Sequence, residues 1–187
     1  MPEATAESLA NSTNTRGDAG RGEVSDRNTL LFDLDGIDLS QRLLDREQLQ
    51  AWIPHRGVMQ LLDSVTWISE DKSCGVGHRT IRSDEFWVEG HFPERAAFPG
   101  VLMVETAAQL AAYMFNLRLG GPSLPAFLRI ENCSFRNHVG PGDEFYVLCR
   151  DVKFGKRRFV SDVQGIVRDN IAFQARISGM TLEGRHS

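Results

Sequence analysis

Residues 89–119 read Glu-Gly-His-Phe-Pro-Glu-Arg-Ala-Ala-Phe-Pro-Gly-Val-Leu-Met-Val-Glu-Thr-Ala-Ala-Gln-Leu-Ala-Ala-Tyr-Met-Phe-Asn-Leu-Arg-Leu, and this stretch decides the fold. Its second half predicts one long helix that begins near Pro99, because proline presets the φ angle of a first turn. The run Gly120-Gly121-Pro122 ends the helix, since glycine adopts the left-handed conformation and proline cannot continue. Large apolar residues cover nearly every face in between: Val101, Leu102, Met103, Val104, Leu110, Met114, Phe115 and Leu117. Such a helix lies in a protein core or a membrane.

Polar residues within the helix decide between these two surroundings. Glu105, Thr106 and Gln109 interrupt the apolar run, so no uninterrupted stretch is long enough to span a bilayer. We therefore expect a soluble protein built around a buried helix that carries a carboxylate, which must be paired, protonated or functional. Upstream, His91 lies in a turn-rich segment, so His91 and Glu105 form a candidate acid–base pair. The alternative is a purely structural hydrogen-bonded pair.

The spacing of several short motifs resembles the active-site segment of the (3R)-hydroxyacyl-acyl carrier protein dehydratases of type II fatty acid synthesis. These motifs are Gly90-His91-Phe92-Pro93, Pro99-Gly100-Val101-Leu102, Glu105 and Ala108-Gln109, with Pro141-Gly142-Asp143 further along. Glutamate rather than aspartate on the helix is typical of the Z type of these dehydratases and favours plain dehydration over the dehydratase-isomerase variant. The resemblance covers about residues 46–182.

The resemblance implies a fold, an activity and an assembly. The fold is the α+β hot-dog fold, a curved antiparallel sheet wrapped around one long buried helix. The activity is dehydration of a (3R)-3-hydroxyacyl-acyl carrier protein to the trans-2-enoyl product, without cofactor or metal. Similar enzymes pair two hot dogs edge to edge, and three such dimers often form a hexamer. Their histidine and glutamate reach one site from opposite subunits, so we expect His91 to work with Glu105 of the partner.

Dehydration of a thioester makes three chemical demands, and the sequence offers a group for each. His91 is the candidate base for the α-proton, because imidazole titrates near neutral pH. The amide of Gly100, followed by Val101 at the helix start, can donate to the thioester oxygen with help from the helix dipole. Glu105 is the candidate acid for the departing hydroxyl. Gln109 lies one turn beyond Glu105 and either orients that carboxylate or packs.

This sequence differs from the family pattern at residues that flank the predicted site. Residues 94–98, Glu-Arg-Ala-Ala-Phe, stand where relatives usually have Gly-Arg-Pro-Val-Met, and Thr106 replaces an alanine. These changes leave the preferred acyl chain length open. Two other functions stay open as well: a hot-dog thioesterase, which uses a carboxylate and water and does not need Gly-His-Phe-Pro, and a non-catalytic acyl-binding hot dog.

The rest of the chain predicts an antiparallel sheet. Segments with partial alternation and many Val, Ile and Phe residues predict strands at 61–69, 74–80, 127–135, 144–154, 157–168 and 171–180. The short turns between them indicate antiparallel neighbours. Gly75-Val76-Gly77 lacks the third glycine of a dinucleotide fingerprint and lies in a hairpin pattern, so we exclude a nucleotide site there. His78 is expected on the strand surface.

Composition limits the classes of partner. The chain has 187 residues, 25% charged and 41% hydrophobic, which fits one globular domain. A net charge of −4 disfavours nucleic-acid binding. Three cysteines, Cys74, Cys133 and Cys149, lack metal-binding spacing and leave one unpaired, which favours a reducing cytoplasm. We expect no metal, nucleotide or flavin site, and no membrane partner.

The N-terminal part divides into two predicted segments. Residues 1–28 are polar and read as a disordered tail without a signal peptide, or as a tail that docks on a neighbouring subunit. Residues 29–45 read as an extended arm or short strand, with Asp35-Gly36 as a turn. Leu30-Leu31-Phe32-Asp33-Leu34-Asp35-Gly36 also resembles the first motif of haloacid-dehalogenase-type phosphatases, but no further acidic pair follows downstream. The hot-dog domain is predicted at 46–182, with a short tail at 183–187.

A second histidine lies in a turn before the first strand. Asp45 is predicted to cap a short helix that runs to about Trp52 and stops before Pro54. The following Ile53-Pro54-His55-Arg56 again resembles the dehydratases, which open with a Leu-Pro-His-Arg-like turn. The resemblance implies that His55 binds substrate or shapes the site; the alternative is a histidine that only holds the turn by hydrogen bonds.

One hairpin turn carries the densest group of positive charges. Lys153, Lys156, Arg157 and Arg158 lie in Lys-Phe-Gly-Lys-Arg-Arg, between two predicted strands. Similar dehydratases carry basic residues near this hairpin, which implies docking of the acidic acyl carrier protein. The alternative is an ordinary solvated turn.

Overall fold

Six strands form one antiparallel sheet in the computed structural model, which describes residues 29–182. The strands are β1 (Ser64–Ile68), β2 (Cys74–Thr80), β3 (Pro125–Phe135), β4 (Glu144–Phe154), β5 (Arg158–Val167) and β6 (Asn170–Thr181), in the order β1-β2-β4-β5-β6-β3. The two helices are α1 (Arg46–Leu49) and α2 (Gly100–Leu119), with a 3₁₀ turn at Gly57–Met59. Helix α2 contacts β2, β3, β4, β5 and β6. The predicted α+β architecture is confirmed.

Helix α2 begins and ends where local sequence rules place its limits. Gly120 has φ 86°, and its amide donates to the Asn116 carbonyl at 3.0 Å, so the predicted left-handed cap is confirmed. The helix begins one residue later than predicted. Pro99, with ψ 130°, is the N-cap, and Gly100 is the first helical residue. The prediction that α2 is buried on every face is wrong for its first turns. Val101 is 73% exposed and the Glu105 side chain 29% exposed, so one face of the first turns is open.

Glycines on β2 and β5 make room for the core. A Cβ on Gly75 would lie 2.7 Å from Met114 Sδ, and one on Gly77 would lie 2.7 Å from Leu62 Cδ1. The Gly-Val-Gly run therefore lets α2 and its neighbours approach β2 closely. A Cβ on Gly165 would lie 2.4 Å from the Phe145 ring, deep in the core.

Residues 29–40, the first part of the predicted arm and called the arm below, lie on the outer face of the sheet. The arm's apolar side chains Leu30, Leu31, Phe32, Leu34 and Leu39 pack against a cluster of Val76, Leu148 and Ile166. The Leu31 amide donates to Gln164 Oε1 at 2.9 Å, and Gln164 Nε2 donates to the Thr29 carbonyl at 3.0 Å. The segment divisions predicted from sequence stay predictions, and residues 1–28 and 183–187 lie outside the described residues.

The phosphatase alternative for the arm is wrong. Asp33 and Asp35 lie in an exposed turn, where Asp33 Oδ1 accepts a hydrogen bond from the Asp35 amide at 2.9 Å. The sheet is antiparallel, whereas that chemistry needs an aspartate at the end of a strand in a parallel sheet. Within residues 29–182, no group of three His, Cys, Asp or Glu side chains is placed to hold a metal ion.

Two smaller predictions are corrected. His78 is only 3% exposed and pairs with Glu144 across β2 and β4, so it is buried rather than a surface residue. The capping of α1 by Asp45 is confirmed by the hydrogen bond from the Gln48 amide at 2.8 Å, but the helix ends at Leu49 rather than near Trp52.

No helix between residues 29 and 182 combines the length and apolar character needed to cross a membrane.

Candidate active site

The loop before α2 holds His91 by its own backbone. The His91 amide donates to the Trp87 carbonyl at 2.9 Å, and the Ala97 amide donates to the His91 carbonyl at 2.8 Å. His91 Nδ1 lies 2.7 Å from the Ala97 carbonyl oxygen. Because a carbonyl can only accept, Nδ1 carries the hydrogen in the neutral ring, and Nε2 keeps a lone pair. This arrangement leaves Nε2 as the ring nitrogen that can accept a proton.

A cleft of about 400 Å³ joins His91 to the first turn of α2. Its lining residues are His91, Ala97, Phe98, Pro99, Gly100, Val101, Met103, Phe135, Asn137, His138 and Val139. The Pro99 carbonyl accepts from the amides of Leu102 and Met103, at 2.9 and 3.1 Å. Within residues 29–182, neither the Gly100 amide nor the Val101 amide donates to a backbone carbonyl outside the helices and strands. Free amides at a helix N-terminus favour an oxyanion.

Gly100 must be a glycine for packing reasons. A Cβ at this position would lie 2.7 Å from the Phe135 ring. Phe135, at the end of β3, therefore packs directly over the backbone of Gly100, which lines the cleft, and a larger residue at 100 would displace it.

Glu105 belongs to a second group of polar side chains. Its Oε1 lies 3.2 Å from His55 Nε2 and accepts a hydrogen bond from Gln109 Nε2 at 3.0 Å. Gln109 is fully buried and its Oε1 accepts from the amides of Leu61 and Leu62, at 2.9 and 3.0 Å. Gln109 thus contacts the Glu105 carboxylate, which fits the first of the two roles left open by their one-turn spacing. His55 contacts the same oxygen, a contact that the sequence did not predict.

Each chain keeps His91 and Glu105 apart. The hydrogen bonds and ion pairs within residues 29–182 do not join the two side chains, and Glu105 does not line the cleft that contains His91. Around the open start of α2, large apolar side chains are exposed: Val58, Met59, Phe92 and Val101. Exposed apolar side chains that form one contiguous patch are typical of an interaction surface.

Strand β3 provides a second such surface. It forms one edge of the sheet, and its only partner strand among the described residues is β6. Phe127, Leu128 and Ile130 are largely exposed along it. A long exposed apolar edge strand pairs readily with another chain.

The basic hairpin lies far from the cleft in the same chain. Its four cationic side chains are exposed. Phe154 at the hairpin packs against Phe115, and the Arg118 guanidinium lies 4.0 Å from the Phe154 ring centroid. The hairpin is therefore at the C-terminal end of α2, about 30 Å from the helix start at 1.5 Å per residue.

The cysteine thiols are not activated. Burial raises the pKa of the Cys149 thiol well above its ordinary value, and it also raises the pKa values of Cys74 and Cys133. A reactive cysteine needs a lowered pKa, so thiol catalysis finds no support at these positions.

Sequence reasoning missed part of the cleft wall. Met103, Phe135, Asn137, His138 and Val139 line it, and His138 Nε2 lies 3.2 Å from the Ala96 carbonyl. The one available signal was the position of residues 135–139 directly before the Gly140-Pro141-Gly142-Asp143 turn that matches the dehydratases.

Comparisons with known proteins agree with the geometry. A FabA-like domain matches residues 53–176. The 3-hydroxyacyl-[acyl-carrier-protein] dehydratase FabZ of Paramagnetospirillum magneticum is 37% identical over 60% of this chain and 70% of the relative. The FabZ of a Geobacillus strain is also 37% identical, over 66% of this chain and 88% of the relative. A solved dehydratase heterocomplex, ApeI:P from Xenorhabdus doucetiae, shares the fold with a TM-score of 0.66 at 14% identity, covering 76% of this chain and 94% of that one. The predicted hot-dog fold is thereby confirmed, and the chain belongs to the FabA-like family, with FabZ-type dehydratases among its relatives.

Proposed function

We propose that the protein dehydrates (3R)-3-hydroxyacyl-acyl carrier protein to trans-2-enoyl-acyl carrier protein in type II fatty acid synthesis. One observation carries the proposal: the cleft brings together His91, whose Nδ1 is anchored, and the first residues of α2, whose amides have no backbone partner within residues 29–182. The FabZ names of the curated relatives support it.

The proposed chemistry assigns one step to each group. His91 Nε2 removes the proton at C2, and the electron pair moves toward the thioester oxygen, where the Gly100 amide and the helix dipole stabilise the negative charge. The pair then forms the C2–C3 double bond as the C3–O bond breaks. Glu105 gives its proton to the departing hydroxyl, which leaves as water. Transfer of the proton from His91 to Glu105 restores the enzyme.

We further propose that the two groups come from different subunits. The separation of His91 from Glu105 within one chain supports this arrangement, and so do the exposed apolar residues around the first turns of α2. Pairing of β3 edges in a homodimer would cover a long apolar strand edge. A trimer of such dimers is the larger assembly expected from the resemblance. The three free thiols fit the predicted cytoplasmic location.

One assay distinguishes this function from its alternatives. The purified protein is incubated with 3-hydroxybutyryl and 3-hydroxydecanoyl thioesters, and enoyl absorbance and free thiol are followed separately. Enoyl product without thiol release supports the dehydratase. Thiol without enoyl product would make the protein a thioesterase, and neither product would make it an acyl-binding protein. The relative rates of the two substrates give the chain-length preference.

We also propose that the basic hairpin docks the acyl carrier protein. Lys153, Lys156, Arg157 and Arg158 are exposed, and rim charges of this kind mainly raise the association rate with an acidic partner. Since the hairpin and the cleft lie at opposite ends of α2, a carrier docked here would serve a cleft of another subunit.

The docking proposal predicts a substrate-dependent effect. Lys156→Glu with Arg158→Glu should raise the apparent KM for carrier-protein substrates, and the effect should shrink at high salt because screening weakens it. Turnover of a short pantetheine thioester should hardly change. Arg168→Gln is the comparison variant, because Arg168 donates to the carbonyl of the cleft residue His138 at 2.8 Å. If only Arg168→Gln raises this KM, docking occurs at the cleft mouth and the hairpin proposal is wrong.

A further inference from the structure

A buried ion pair between β2 and the loop that follows it lies between the elements that hold the two candidate catalytic groups. Arg79 is only 2% exposed, and the side chain of its partner Glu85 is 7% exposed. Arg79 Nη2 donates to Glu85 Oε2, and the guanidinium lies 5.2 Å from the Phe98 ring centroid. Burial lowers the pKa of Arg79, while the carboxylates of Glu85 and Asp63 oppose this shift, and an arginine guanidinium stays protonated in proteins.

One end of this pair leads to the candidate acid. Arg79 Nη1 donates to the carbonyl of Leu61. The amides of Leu61 and Leu62 donate to Gln109 Oε1, and Gln109 Nε2 in turn donates to Glu105 Oε1 at 3.0 Å. An unbroken series of hydrogen bonds and one short backbone segment thus runs from Arg79 to Glu105.

The other end leads to the candidate base. Glu85 Oε2 accepts from Trp87 Nε1 at 2.8 Å, and Glu85 Oε1 accepts from the Arg82 amide at 2.9 Å. The Trp87 carbonyl accepts the hydrogen bond from the His91 amide at 2.9 Å. Trp87 also packs against Phe98, which precedes α2 and lines the cleft, with ring centroids 5.4 Å apart. Glu85 therefore fixes the segment that carries His91.

Stability alone is a poor explanation for such a pair. Desolvation of two charges offsets most of their attraction, and well-packed apolar replacements are often as stable. Arg79 Nε in addition has no hydrogen-bond partner within residues 29–182. The charged pair makes directional hydrogen bonds to the Leu61 carbonyl and the Trp87 indole, which an apolar pair cannot make.

We infer that Arg79 and Glu85 form a positioning pair that holds His91 and Glu105 in reactive geometry. The inference rests on the proposed dehydratase function. If the site is shared between subunits, each pair positions the base of one site and the acid of the other.

The test replaces the charged pair without leaving an unpaired charge. In Arg79→Met with Glu85→Met, we expect a folded protein whose kcat falls about 10–100-fold, because a misplacement of about 1 Å costs this much. The KM should change little. Amide exchange at Leu61, Leu62 and His91 should become faster, since these amides depend on the segments that the pair fixes.

The matched control is another buried ion pair, at the far end of α2. Arg118 Nη1 donates to Asp151 Oδ2 at 2.5 Å, and Asp151 is largely buried. Arg118→Met with Asp151→Leu should affect thermal stability but leave kcat near the wild-type value. Arg79→Lys, which keeps the charge but loses the planar fork, should lose less kcat than the double Met variant.

Three outcomes would overturn the inference. The first is a double Met variant that keeps the wild-type kcat. The second is an Arg118–Asp151 control that loses as much kcat as the double Met variant. The third is a fall in kcat without faster exchange at the amides of Leu61, Leu62 and His91. A wild-type protein that forms no enoyl product would instead overturn the proposed function, and the positioning role with it.

Discussion

His91→Ala and Glu105→Gln should each lose about 10²–10⁴-fold in turnover while remaining folded, because each removes one proton-transfer group. Alanine takes away the ring whose Nδ1 is anchored 2.7 Å from the Ala97 carbonyl. Glutamine keeps the size of Glu105 and its contacts with Gln109 and His55, but it has no proton to give. The measurement is initial-rate enoyl formation, with circular dichroism and thermal unfolding to verify the fold.

Glu89→Gln is the control for these variants. It makes the same chemical change two residues before His91, at an exposed position outside the cleft. Its rate should stay near the wild-type rate. A rate close to wild type in His91→Ala or Glu105→Gln would remove that residue from the mechanism.

Gly165→Val should cost about 3 kcal/mol of folding free energy, because it forces a side chain into a filled core. An added Cβ would lie 2.4 Å from Phe145 and 2.5 Å from Phe173, and both rings are fully buried. For a chain of this size, the loss corresponds to a fall in Tm of roughly 6–12 °C. Differential scanning calorimetry measures it.

The control for the packing argument is Gly121→Ala. A Cβ on Gly121 would meet no atom within 4 Å, and its φ is not in the left-handed region. Its Tm should stay within about 2 °C of wild type, since surface substitutions away from special features change little. Equal Tm losses in both variants would show that the Phe145 and Phe173 rings do not restrict the size of the side chain at residue 165.

Local rules account for what the sequence predicted well. The end of α2 at Gly120 follows from glycine and proline chemistry, and β2 and β4 have the predicted limits because clear turns bound them. The one-turn spacing of Glu105 and Gln109 predicted their contact, which the 3.0 Å hydrogen bond confirms.

Long-range packing accounts for what the sequence did not predict. The burial of His78 depends on the tertiary packing around the outer face of β2, which no local pattern encodes. The position of β3 at the sheet edge, next to β6, depends on the strand order. The contact of His55 with Glu105 joins residues fifty positions apart, and the Arg79–Glu85 pair is buried although both residues usually lie at the surface.

The half-exposed state of Glu105 has a different origin. The sequence predicted a buried carboxylate from the apolar helix, but the start of α2 is open in a single chain. A partner subunit that covers Val101 and Glu105 would complete the burial. In the proposed dimer, the prediction and the structure would differ because one chain would hold only part of the site.

Mixing the two inactive variants tests the shared site most directly. His91→Ala and Glu105→Gln proteins are dissociated, combined in equal amounts and reassociated, and mass spectrometry verifies heterodimers. In a two-fold dimer, about one site in four then contains both an intact His91 and an intact Glu105, so about a quarter of wild-type enoyl formation should return. No recovery in the presence of demonstrated heterodimers would contradict the account and place both groups of each site in one chain.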